Sequence, residues 1–470
     1  MHGNVLFPTW HRAYLYNLEK LLQSIPGCED VMLPFWDECS EDSLKNGIPW
    51  ALTNETFELD GVEIPNPLIS YTLQRNIVDH IPIDSVDPTL QPVSYSKPAG
   101  YTTVRYPLAG LVGSPADQAA TKAHNAQYPD YNQNVRLLNG NIVAWLTSQV
   151  VVEGQPVTSG IHREFLECLT MPNYTVFSNT TSAAAWADNN DPNAMPLEQP
   201  HNDIHLAVGG FDITGPGGFD ASVIEGANGD MGENDTAAFD PIFYFHHCFI
   251  DYVFWIWQQR HGETFSLSLI PGYPGTNSVD NQGPTPGVAP NSWLTLDSPL
   301  EPFKWEGSGD FMTAREVTHI GALGYSYGKG SLDPFVNPAI NPVPPAAAPS
   351  QTEAAAKKTV RVRGINRAKI RGSFLISAFA KVDGERRHLG TRGVLSRWHV
   401  SGCANCQTHL QASASFALPA ALAAAGEDNI EVEVRTRDGL LGGAAVTPAA
   451  TRAALAGAAE QRPHFQVEIV

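Results

Sequence analysis

The segments His201-Asn202-Asp203-Ile204-His205 and, about forty residues later, Asp240-Pro241-Ile242-Phe243-Tyr244-Phe245-His246-His247-Cys248-Phe249-Ile250-Asp251 most restrict how this chain can fold. Histidines at i and i+4 lie on one face of a helix, close enough to hold one metal ion, and a second helix facing them can supply a third imidazole. Two helices are then tied to one point. Three neutral imidazoles without thiolate or carboxylate suit copper. Structural zinc usually recruits cysteines, and catalytic zinc on an HxxxH helix usually has a glutamate after the first histidine, where this chain has Asn202.

The N-terminus carries two more histidines, in His2-Gly3-Asn4-Val5-Leu6-Phe7-Pro8-Thr9-Trp10-His11-Arg12, and the apolar pattern through Tyr14, Leu15, Leu18, Leu21 and Leu22 predicts a helix there. Together these segments resemble the type 3 dicopper family of tyrosinases, catechol oxidases and hemocyanins, and among them a fungal-type tyrosinase or polyphenol oxidase. In that family each copper has three histidines, and the second site is marked by an Asp-Pro-x-Phe segment whose histidine precedes an aspartate by four residues. Asp240, Pro241, Phe243, His247 and Asp251 fill that pattern. The resemblance implies that His201, His205 and His247 bind the second copper, that His2 and His11 are the second and third ligands of the first, and that His246 is a neighbour of a ligand. The family's remaining first-site histidine lies upstream of His2, where this chain has only Met1. The expectation is therefore two copper ions, with the first site incomplete and an N-terminal segment missing. A cysteine that fungal members often link to the second ligand would precede Met1 as well. His80, His124 and His162 read as surface or satisfied polar histidines.

At 470 residues and 43 % hydrophobic, the chain can bury a large core and has room for two or three domains. No apolar run reaches 18 residues, so no transmembrane helix or membrane partner is expected. Six scattered cysteines do not form a disulfide scaffold, and sequons at Asn54, Asn173, Asn179 and Asn234 lean towards secretion, but localisation stays open between cytoplasmic and secreted. A net charge of −20 argues against nucleic acid as a partner. Its distribution says more: residues 357–470 hold 16 Lys+Arg against 9 Asp+Glu (+7), and residues 1–356 hold 13 against 40 (−27). Opposite charge lets the C-terminal domain dock on the catalytic one, although two solvated surfaces are an equal reading.

Residues 1–328 read as one mainly α catalytic domain, a four-helix bundle around a dicopper site with long loops, and helices are predicted near 10–24, 136–150, 198–208 and 240–260. Leu323-Gly324-Tyr325-Ser326-Tyr327-Gly328 resembles the Tyr-x-Tyr element that closes the catalytic domain of polyphenol oxidases. Residues 329–357 read as a Pro/Ala-rich extended linker. Val360-Arg361-Val362-Arg363 and Ile430-Glu431-Val432-Glu433-Val434-Arg435 alternate as half-buried strands do, so 358–470 are expected to form a β-sandwich. It resembles the C-terminal domain that shields the active site of latent polyphenol oxidases. Cys403-Ala404-Asn405-Cys406 resembles a motif with a proposed part in copper loading; a disulfide or free thiols are the other readings.

Copper held by imidazoles with an open coordination position can activate O2 beside a bound phenol. The resemblance implies O2 and phenolic small molecules as substrates, with monophenols hydroxylated and o-diphenols oxidised to o-quinones. Glu198, three residues before His201, together with Asn202 resembles the pair that holds a water as base for the phenol proton; otherwise Glu198 solvates a helix start. Arg12 and Asp251 are candidates for an ion pair that orients ligands, and Phe243 for packing on the ligand rings. Three alternatives remain at this stage: a catechol oxidase without monophenolase activity, a hemocyanin-like O2 binder, and an inactive fragment.

Overall fold

The computed structural model describes residues 1–79, 95–152, 155–211, 228–277, 285–289, 292–343, 358–382, 384–398, 410–418, 422, 429–437, 439–445 and 465–470. His80, Cys403, Cys406 and residues 344–357 of the expected linker lie outside them.

Five helices position the site: α1 (Phe7–Gln23), α2 (Tyr131–Thr147), α3 (Ile161–Cys168), α4 (Glu198–Gly209) and α5 (Ile242–His261). Four of them are the expected helices. α2 starts earlier than the periodicity suggests, because the Asp130 side chain accepts the Gln133 N–H and caps the first turn. The eight-residue α3 was not expected. α1 carries Pro8 in its first turn, where a missing N–H costs nothing. α5 stops at Gly262, whose left-handed φ of +71° lets its N–H reach the carbonyls of Gln258 and Gln259.

Every residue of α4 is buried, and so are 14 of the 20 in α5, which marks both as core helices. α5 packs on α1, and α4 lies against α2 and α3. Arg12 fastens α1 to α5: its Nε donates to Asp251 Oδ1 at 2.6 Å, and its Nη1 donates to Gln258 Oε1 and to the carbonyls of Val317 and Thr318. Tyr325 and Tyr327 both donate to the other Asp251 oxygen. The Tyr-x-Tyr element thus closes on the aspartate that ends the Asp240–Asp251 segment.

The C-terminal region is β-rich. A four-stranded antiparallel sheet has the order β3-β2-β5-β6, with β2 Phe374–Val382, β3 Glu385–Val394, β5 Ile430–Thr436 and β6 Gly439–Ala445. A three-stranded sheet has the order β4-β1-β7, with β1 Lys358–Asn366, β4 Gln411–Leu418 and β7 Gln466–Ile469. Alternation decides which side chains are inside: Ile430, Val432 and Val434 of β5 and Phe416 of β4 join Val360 and Val362 in one cluster separate from the helical core. Two leucines of this region, Leu375 and Leu395, instead belong to the helical core.

Arginines line the contact between the two regions. Arg392 meets Glu164 of α3, Arg437 Nη1 donates to Glu233 at 3.1 Å, Arg397 Nε donates to Asp235 at 2.5 Å, and Arg361 and Arg363 share Asp188. The Gly393 N–H donates to Asp203 of α4.

Residues 329–343 do not run as an extended spacer. Leu332 is buried, Ser331 donates to Asp37, and Asp333 accepts from Tyr252 of α5, so apolar burial and two hydrogen-bonded acids draw this stretch back onto the helices.

Candidate metal centre

α4 and α5 bring His201, His205 and His247 to one point. Their Nε2 atoms form a triangle with edges of 3.1, 3.3 and 3.3 Å. The centre of that triangle lies about 1.9 Å from each corner, close to the imidazole–metal distance of ~2.0–2.1 Å known for zinc, so these three nitrogens would fit one ion of similar size. Such a ligand set requires neutral rings with the lone pair on Nε2, and for His201 and His205 the neighbours provide for that. Asn202 Oδ1 lies 3.0 Å from His201 Nδ1 and the Met231 carbonyl 2.8 Å from His205 Nδ1, so each accepts an Nδ1 proton and leaves Nε2 bare. Burial, reinforced by neighbouring imidazoles, holds His201 and His247 well below their ordinary pKa, and burial takes His205 down to about 4. Three unprotonated nitrogens this close repel unless a cation sits between them.

The Met231 carbonyl reaches His205 because two glycines meet. A Cβ on Gly209 would lie 1.8 Å from the Gly232 backbone nitrogen, so only glycine allows the segment after residue 228 to press against the end of α4.

His2 and His11 lie against this cluster. Their ring centroids are 5.4 Å apart, His2 is 5.3 Å from His201, and His11 stacks on His247 at 4.5 Å. The Phe7 carbonyl 2.8 Å from His11 Nδ1 selects the Nε2 lone pair there too, and His2 Nε2 is buried without a hydrogen-bond partner. An orphaned imidazole nitrogen facing a histidine cluster fits a metal ligand. Burial holds both rings well below their usual pKa. His124 is a satisfied buried histidine on the Pro107 carbonyl, at 2.8 Å, and His162 is half-buried.

His246 is closer to the centre than a mere sequence neighbour need be. A ligand atom from each of His201, His205, His246 and His247 lies within 4.8 Å of the others. Its Nδ1 is 2.6 Å from Glu38 Oε1, both side chains are fully buried, and its Nε2 has no partner. Burial pushes the Glu38 carboxyl well above the usual range and His246 well below, so the pair shares one proton as a neutral unit. Glu38 had no signal in the sequence: it stands in an irregular loop and its partner is 208 residues away.

Glu198, in the first turn of α4, is buried and held by three donors: the Gly3 N–H on Oε1 at 2.7 Å, and the Thr180 N–H and hydroxyl on Oε2 at 2.9 and 3.0 Å. It thereby joins the His2 segment to α4. A carboxylate offers about four acceptor positions, so roughly one remains for a further donor. Burial raises its pKa, against the lowering effect of the Thr180 and Gly3 hydrogen bonds. Phe243 packs on His247 with ring centroids 4.0 Å apart.

Helices that converge on one buried set of imidazoles, with the His11, His201 and His205 tautomers fixed by a backbone or amide oxygen, define a multi-histidine metal centre of the kind built in helical cores. Residues 1–260 match the model of the common central domain of tyrosinase. The chain is 51 % identical over 432 residues to tyrosinase HcTyr2 of Hahella sp. (strain CCB-MM4), covering 89 % of this chain and 74 % of that one. It is 45 % identical over 441 residues to a tyrosinase of Aspergillus oryzae, covering 88 % and 76 %. Its structure superposes on tyrosinase from Burkholderia thailandensis at low pH with a TM-score of 0.77 and 45 % identity, covering 100 % of this chain and 86 % of that one. The chain belongs to the tyrosinase family and is an oxidoreductase. Its similar relatives include bacterial as well as fungal proteins, so they do not single out the fungal type. The family binds two copper ions and acts on phenols with O2. Among the described residues no helix is long and apolar enough to cross a membrane.

Proposed function

We propose that this chain uses O2 to hydroxylate monophenols and to oxidise o-diphenols to o-quinones, with the second copper on His201, His205 and His247 and the first drawing on His2 and His11. The Nε2 triangle carries the reading: its edges of 3.1–3.3 Å suit one ion bound by three neutral imidazoles. Copper, when bound, supplies the site for O2 activation and an open position for the phenol oxygen.

The chain's own residues supply the rest. Asn202 and Met231 keep the His201 and His205 rings in the ligating tautomer. Phe243 and Trp10, packed on His247 and His11, keep water from the rings' edges and offer an aromatic surface to a phenol. Glu198 and Asn202 hold a water that removes the phenol proton. Support comes from the raised pKa of Glu198, nearer to that of an effective base, and from its remaining acceptor position. Glu198→Gln tests the role: monophenol turnover should fall far more than catechol turnover, and equal losses would remove the assignment.

We further infer that residues 1–328 form the catalytic domain, that 358–470 form a β-sandwich which docks on it as a shield, and that the segment between them, 329–357, is where they part. Leu395 in the helical core and the arginine–carboxylate contacts to Glu164, Glu233, Asp235 and Asp188 support docking. Cleavage within 344–357 followed by release of the C-terminal piece should raise catechol turnover; unchanged turnover would reject the shield.

A further inference from the structure

A cavity of about 400 Å³ opens beside the imidazoles, within the range of about 300–1,000 Å³ common for small-molecule sites. Trp10, Tyr14, Phe243 and Phe303 give it aromatic walls, and His2 and His11 reach it from the metal centre. The C-terminal region supplies a further wall. From there Arg367, in a short turn after β1, brings the one charged side chain among the described lining residues.

The Arg367 guanidinium is poorly matched to the protein around it. Its Nε is buried without an acceptor. Glu198 is the carboxylate that acts on it, raising the Arg367 pKa against the larger lowering effect of burial. Yet the Glu198 oxygens already accept from Gly3 and Thr180, and none of its hydrogen bonds comes from Arg367. A planar cation with donors to spare, in a half-enclosed site, is unfavourable until an acceptor arrives. The rest of the cavity suits a neutral ring.

We propose that the cavity selects phenols bearing a carboxylate, and that Arg367 is the residue that binds it. The guanidinium takes the carboxylate through its fork of N–H donors, the ring lies among the aromatic walls, and the phenol oxygen points to the imidazoles. Arg367 thus makes the C-terminal region part of the substrate site in the intact chain as well as a cover. This rests on the phenol-oxidising reading above, so the test separates the two.

The probes are 3-(4-hydroxyphenyl)propionate and its methylamide. With the intact, copper-loaded protein the carboxylate should have the lower KM. Arg367→Gln should raise that KM about tenfold or more, the scale of a lost charge-assisted hydrogen bond, and raise the amide's KM far less, because the amide carbonyl is a neutral acceptor. Arg367→Lys, which keeps the charge, should restore part of the preference. Calorimetry on the copper-free protein reads the same contact without catalysis: carboxylate binding should exceed amide binding and weaken in Arg367→Gln. Arg367-dependent binding there supports the site even if no phenol is oxidised. A carboxylate-to-amide ratio that is the same in the wild type and in a folded Arg367→Gln protein, by kinetics and by calorimetry, overturns the proposal.

Discussion

Replacing Asp251 with asparagine removes the anion on which three donors converge while keeping the shape of the side chain. Arg12 and Asp251 are 0 % and 3 % exposed, so the guanidinium left behind has no water to replace its partner. Breaking a buried pair by deleting one charge costs about 3–5 kcal/mol. Asparagine keeps one acceptor for Arg12 Nε, which puts the pair near the lower end of that range. Tyr325 and Tyr327 share the second oxygen, and an NH2 group there accepts from neither, adding about 1 kcal/mol. A loss of about 4 kcal/mol corresponds to a Tm lower by roughly 8 °C for a large domain. Scanning calorimetry of Asp251→Asn beside the wild type checks it. Arg315→Ala, which breaks the exposed pair with Asp297, is the control and should leave Tm unchanged. Copper retention should fall as well, because Arg12 follows His11 and Asp251 lies one turn beyond His247. An Asp251→Asn shift no larger than that of Arg315→Ala would refute the idea that this pair clamps the two ligand helices.

Glu198→Gln should lower monophenol turnover by about 10²-fold with little change for catechols, measured by initial rates on tyrosine and a catechol, whereas Asn202→Gly, which also removes the acceptor on His201 Nδ1, should lower both. Stability of the copper-free protein should fall as pH drops from 6.5 towards 4: the unfolded chain takes up a proton on His205 near 6.5, while the native ring, held to about 4, does not. That one site contributes about 3 kcal/mol over the window, read by urea unfolding at each pH, and bound copper should delay the fall. Glu38→Gln should shift the copper spectrum and weaken copper retention by about tenfold or more, by loosening His246 against the cluster; unchanged retention would leave the pair a purely structural one.

What the sequence showed follows the range of the interactions. α1, α4 and α5 were legible because helical periodicity and i, i+4 histidines are local patterns, and the strands of 358–470 because alternation is local too. Arg12–Asp251 and Phe243–His247 were also legible, since each partner adjoins a ligand segment. Contacts set by tertiary packing were not. Glu38 reaches His246 across 208 residues, Met231 reaches His205 only through the Gly209–Gly232 approach, and Arg367 enters the cavity from another region of the chain. The return of residues 329–343 onto α5 was hidden by a Pro-rich composition that masks the buried Leu332 and the acceptor Asp333.

The central claim, that His201, His205 and His247 hold copper for phenol oxidation, is tested most directly by adding copper to the metal-free protein while following catechol oxidation. Turnover should rise with copper bound, stay absent with zinc, and vanish in His247→Ala although that protein remains folded. Full copper occupancy without catechol turnover, or undiminished turnover in His247→Ala, would contradict the account.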